Sequence, residues 1–81
     1  MGVRIEQRTI HIEGAASVAD AEPLLAALLE NPGRVIDLSG ASRIHSSVVQ
    51  LLLALRPEVV GKPADPFYNS HIARLIDASK G

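Results

Sequence analysis

Apolar and polar residues alternate in two short stretches at the start of the chain. Val3 and Ile5 alternate with polar neighbours, as do Ile10 and Ile12, with Glu6-Gln7-Arg8 between the two stretches. A repeat of two places successive side chains on opposite faces. The pattern therefore predicts a short strand, a turn and a second strand over residues 9–13, with one face on a core and the other on water. Gly14-Ala15-Ala16 is expected to break that strand. Leu24, Leu25, Leu28 and Leu29 then fall on one face of a helix. Ser17 or Asp20 can cap it, and Asp20 is preferred because Pro23 then sits in the first turn, where a missing N–H costs least. Asn31-Pro32-Gly33 ends the helix.

Val35-Ile36-Asp37-Leu38 reads as a compact apolar strand between two helices. That order is a β-α-β unit, so its strand pair is expected to be parallel with a right-handed crossover. Residues 39–45 read as a loop. Ser46 opens a second helix, whose Val48, Val49, Leu51, Leu52, Leu53 and Leu55 cover so much of its circumference that packing on more than one side is expected. Pro57 stops it. Glu58-Val59-Val60-Gly61 reads as a last short strand and residues 62–66 as a rigid connector. Asn69 or Ser70 can cap a final helix with Ile72, Leu75 and Ile76 on its apolar face. The resulting order is β-β-α-β-α-β-α: a single α/β domain over residues 1–81, with a mixed sheet and helices packed mainly on one face.

Composition narrows the functional classes. With 81 residues, one core is possible, and a domain of this size buries only roughly 60–65% of its unfolded surface. Cysteine is absent, which removes disulfides, thiolate metal sites and cysteine nucleophiles. Hydrophobic residues make up 47% but aromatics only 2%, so the core is aliphatic. Phe67 and Tyr68 are the two aromatics. A core plug is the preferred reading for them and a partner-facing anchor is the alternative. Scarce aromatics and a net charge of −1 without a basic stripe argue against nucleic acid. The chain opens without a signal-like apolar stretch, and its longest apolar run, Leu51 to Leu55, is too short to span a bilayer. A cytoplasmic protein without membrane insertion is expected.

The segment from 35 to 55 carries a resemblance. Asp37-Leu38-Ser39-Gly40, then Ser46-Ser47 and a leucine-rich helix, resembles the central strand-loop-helix of STAS domains, the family that includes anti-sigma-factor antagonists. Upstream, Thr9-Ile10-His11-Ile12-Glu13-Gly14 is similar to the strand and glycine that precede that family's first helix. The resemblance covers about residues 3–60, and the C-terminal part is shortened. His45 stands where the family has Asp, and Val48 where it has Gly.

The resemblance implies a non-enzymatic regulatory module that binds an anti-sigma factor, a serine kinase or a sensory complex. Docking would use Ser42, Arg43, His45, Ser46 and Ser47. Ser46 would be the phosphate acceptor, with Ser47 second; the competing reading makes Ser46 a helix cap only. Phosphate at a helix start has a physical logic, because unpaired amides and the positive dipole end favour an anion. The segment is also similar to the STAS subunit of bacterial phospholipid-transport ABC complexes, which implies a structural subunit beside a transporter ATPase. A small-ligand or nucleotide-binding STAS domain is a third alternative, without a Gly-rich phosphate loop to support it.

Other chemistry is weakly signalled. His11, His45 and His71 lack metal-ligand spacing, and no metal or cofactor is expected. Asp37 is expected to accept hydrogen bonds from the Ser39 or Gly40 amides. Ser46, His45 and Asp37 supply the residue types of a hydrolytic triad, but no nucleophile elbow accompanies them.

Overall fold

The computed structural model describes residues 2–80, with side chains for 2–76. The elements are β1 (Gly2–Glu6), β2 (Thr9–Ala16), α1 (Val18–Glu30), β3 (Val35–Asp37), β4 (Ala41–Ile44), α2 (Ser46–Leu55), β5 (Glu58–Val60) and α3 (Ala73–Lys80), the last continuing from a π-helical turn over Tyr68–Ile72. β1 and β2 form an antiparallel hairpin, with Gly2 opposite Glu13 and Glu6 opposite Thr9. Gln7 turns the hairpin at a positive φ of 48°. β3 lies parallel to β2, and β5 parallel to β3, giving the order β1-β2-β3-β5. This is the mixed sheet of an α/β domain.

Two expectations fail together at the end of β2. Gly14-Ala15-Ala16 does not break the strand; it continues to Ala16 and pairs in parallel with β4, in the stretch expected to be loop. Backbone pairing supplies the reason. The Gly14 N–H donates to the Gly40 carbonyl at 2.9 Å and the His45 N–H to the Ala16 carbonyl at 3.0 Å. Gly14 adopts a φ of 69°, a conformation that glycine takes without a Cβ penalty. The extended strand also moves the helix start. Ser17, not Asp20, is the N-cap residue of α1. The Asp20 carboxylate reaches back to accept the Ser17 N–H at 2.8 Å and its hydroxyl at 3.3 Å. Pro23 therefore lies inside the helix, where its ring nitrogen leaves one carbonyl of the preceding turn without an intrahelical donor.

The alternation in β1 and β2 sorts the two sheet faces. Ile10, Ile12 and Ile36 are fully buried beneath the helices, in one cluster with Leu24, Leu28, Val48 and Leu52. On α1 the buried positions are Leu24, Ala27 and Leu28, whereas Leu25 and Leu29 are exposed, so the inward face is rotated from the four-leucine pattern. α2 packs against α1 on one side and α3 on another, in keeping with its broad apolar surface. Tyr68 plugs the end of this core at 3% exposure.

The opposite sheet face is polar and laced with charge. Arg4 bridges Glu6 at 2.8 Å and Glu13 at 3.0 Å. The His11 ring lies between two carboxylates, with Nδ1 2.9 Å from Asp37 and Nε2 2.9 Å from Glu6. Asp37 accepts the Ser39 N–H at 2.9 Å, the partner expected for it. Gly61, at a φ of 81°, closes over this turn, and a Cβ there would come within 2.7 Å of both Asp37 Oδ1 and the Ser39 nitrogen.

The Ser39 backbone and hydroxyl, with a smaller contribution from His11, hold the Asp37 carboxyl below its ordinary value. A carboxyl depressed in the folded state contributes stability above its unfolded pKa, about 3.9, which is lost as pH falls through the folded value. The stability difference between the native chain and Asp37→Asn is therefore expected to shrink between about pH 5 and pH 2 in urea titrations. A difference independent of pH contradicts this assignment.

Candidate docking surface

The five residues singled out from the sequence lie where β4 hands over to α2. In β4, Ala41 is buried, Ser42 and Arg43 are exposed and Ile44 is half-buried. Ala41 pairs with Gly14 and Arg43 with Ala15, so Ser42 is an extra residue on this strand. Such a bulge bends the strand and re-aims its side chains. The Arg43 side chain makes no hydrogen bond or ion pair among the described residues.

His45, not Ser46, caps α2. Its Nδ1 accepts the Ser47 N–H at 3.0 Å, and the Ser47 hydroxyl lies 2.8 Å from the same nitrogen. An amide N–H can only donate, so Nδ1 holds its lone pair here and the ring proton is on Nε2. The His45 carbonyl takes the Val48 and Val49 N–H groups at 3.0 and 3.1 Å. Three amides of the first turn are thus engaged by one residue. Ser46 is the first residue of the helix, and its exposed side chain has no hydrogen bond among the described residues. Val48, which replaces the resembled family's glycine, is fully buried in the core.

Across from this segment stands a residue from the end of the chain. Asp65 is 8% exposed. Its Oδ2 accepts the Ile44 N–H at 2.8 Å, and its Oδ1 accepts the Phe67 and Tyr68 N–H groups at 3.0 and 3.3 Å. Asp65 therefore starts the final helical segment, which runs from Pro66, and the expected caps Asn69 and Ser70 lie inside it. The connector over 62–66 is part of the structure rather than a spacer: the Ala64 N–H also donates to the Ala41 carbonyl at 2.8 Å. The sequence signal is the pair Asp65-Pro66, since Asp is favoured at an N-cap and Pro at the first helical position.

Asp65 separates the roles of the two aromatics. Tyr68 turns into the core, whereas Phe67 is 63% exposed. Its ring meets His71 edge-on, with centroids 4.8 Å apart and planes at 82°. Phe67 and Ile44 together border two hollows. One, of about 340 Å³, is lined by Ala15, Ala16, Ser17, Arg43, His45 and Asp65. The other, of about 230 Å³, is lined by Ser46, Val49, Gln50, Tyr68 and Ile72.

Triad geometry is not formed. The His45 ring bonds Ser47 rather than Ser46, while Asp37 bonds His11 on the opposite sheet face. Among the described residues, no group of three or more His, Asp or Glu side chains converges on a metal position. No helix is long and apolar enough to cross a membrane among them. Comparison with protein-family models, with curated proteins and with solved structures gives no match.

The cap assignment separates two neighbouring residues. His45→Ala is expected to lower unfolding free energy by about 0.5–2 kcal/mol, with Asp or Asn at that position preserving the cap. Ser46→Ala is expected to stay within about 0.5 kcal/mol of the native chain. Denaturant titration of the two variants checks this, and the reverse order contradicts it.

Proposed function

We propose that this chain is a non-enzymatic regulatory module that docks another protein through the end of β4 and the start of α2, in the manner of an anti-sigma-factor antagonist. One observation carries the reading. Ser42, Arg43, His45 and Ser46 are exposed along a single bulged strand end and helix start, and Arg43, His45 and Ser46 border hollows whose shared walls, Ile44 and Phe67, are apolar. Exposed aromatic and arginine side chains around a concave apolar patch are the usual composition of protein-binding surfaces.

Ser46 suits a release switch. Its hydroxyl is exposed and holds nothing together, so a phosphate there leaves the fold intact while adding about −1.5 to −2 charges to the docking face. The nearby amides are already bound by His45, so the phosphate acts by repelling a docked partner rather than by reorganising the helix. The partner in this reading is an anti-sigma factor, a serine kinase or a sensory complex.

A second reading has its own support. Both positions that depart from the resembled family have structural roles, His45 as cap and Val48 as core residue. A rigid segment of this kind also suits a permanent subunit braced against a transporter ATPase.

Affinity purification of the tagged chain from its native cells, followed by mass spectrometry of the partner and of Ser46, separates the two. For the regulatory reading, Ser46→Asp is expected to weaken the recovered partner by at least about tenfold, or 1.4 kcal/mol, without lowering the thermal midpoint. Ser46→Ala should bind as the native chain does. Equal affinities for all three contradict the switch, and an unmodified Ser46 recovered with a transporter ATPase favours the second reading.

A further inference from the structure

We propose that Phe67 is the anchor of this docking surface and that the surface takes an acidic segment presenting two apolar side chains, one to each side of the ring. The inference rests on the protein-docking reading and adds the partner's chemistry to it. It begins with the position of Phe67. Hydrogen bonds from the Phe67 and Tyr68 N–H groups to Asp65 fix the first turn of the final helix. That geometry buries Tyr68 and leaves the Phe67 ring outside. The ring meets His71 edge-on, a contact that favours this rotamer and so reduces the side-chain freedom lost when a partner covers it.

The shape of the surface sets the number of apolar groups. Phe67 and Ile44 belong to both hollows, so together they form a ridge between them. A partner that buries the ring fills both sides, and Ile44, Val49 and Ile72 supply apolar walls. Removing an exposed aromatic and its surrounding hollows from water is the largest gain this surface offers.

Charge sets the rest. Arg43 lines the larger hollow without an ion pair among the described residues. His45, whose Nδ1 is used by Ser47, retains its Nε2–H as a donor. Asp65 is the one carboxylate in either lining, and its two oxygens already accept three backbone N–H groups. The charged side chain left without a hydrogen-bond partner in the two linings is therefore a cation, which complements carboxylates. The same charge pattern explains how a phosphate on Ser46 would act: it adds negative charge to the smaller hollow and repels an acidic segment docked there.

The test uses the full chain, labelled with nitrogen-15, and two synthetic peptides with leucines at helical spacing. One carries glutamate at the remaining positions and the other lysine. The glutamate peptide is expected to shift the amides of Arg43, Ile44, Phe67 and Ile72 saturably, with the lysine peptide at least tenfold weaker. Phe67→Ala should abolish saturation and Arg43→Glu should reverse the preference. Equal binding of both peptides, or shifts centred away from Phe67, overturns the proposal. Retention of the native partner by Phe67→Ala, alongside its loss with Ser46→Asp, also overturns the anchor while leaving the docking reading in place.

Discussion

A buried carboxylate joins the two halves of the candidate surface. Asp65 lies almost wholly out of water, a costly place for a charge unless hydrogen bonds replace its hydration. Three backbone amides do so, one from β4 and two from the first turn of the final helix. Each of these donors would otherwise lack a partner, because β4 pairs only with β2 and a helix start leaves its first amides open. The one carboxylate thus satisfies the free edge of β4 and caps the last helix. Ala64 adds a second tie to the same strand through the Ala41 carbonyl. This connection fixes the first turn that carries Phe67 directly against β4.

The remaining architecture follows from the division between the sheet's two faces. The helices cover Ile10, Ile12 and Ile36, and the open face is held by Arg4, His11 and their carboxylate partners. Exposed ion pairs of this kind contribute little individually, and the aliphatic core provides most of the stability. The parallel strands β2 and β4 end side by side next to the start of α2, so the candidate surface lies at their carboxyl ends, the usual location of sites in α/β sheets. His45 works at this junction with two backbone groups. Its N–H closes the β2–β4 ladder and its carbonyl starts the helix.

The strands with clean periodicity are legible in the sequence, and so is the helix α2 that follows the candidate site. Val3, Ile5, Ile10 and Ile12 define β1 and most of β2, and Val35-Ile36-Asp37-Leu38 defines β3 and its parallel pairing. β4 is hidden because the bulge at Ser42 destroys alternation in Ala41-Ser42-Arg43-Ile44, and its partner strand is disguised by Gly14-Ala15-Ala16. Tertiary pairing, not local propensity, makes both stretches extended. The cap at His45 is obscured by a different rule, since serine is the commoner capping residue and Ser46 stands beside it. Phe67 is brought beside Arg43, His45 and Ser46 by tertiary contacts, the Asp65 hydrogen bonds among them, and no local pattern reports a link between residues so far apart in the chain. Asp65-Pro66 does hold a helix-start signal, but the prolines around it read equally well as a linker.

Amide hydrogen exchange on Asp65→Ala tests this linkage most directly. The expected result is joint loss of protection at Ile44, Phe67 and Tyr68, with the amides of Ile10 and Ile36 in the central strands remaining slow. Unchanged protection at Ile44, while the helix start alone frays, would contradict the claim that one carboxylate holds β4 and the final helix together.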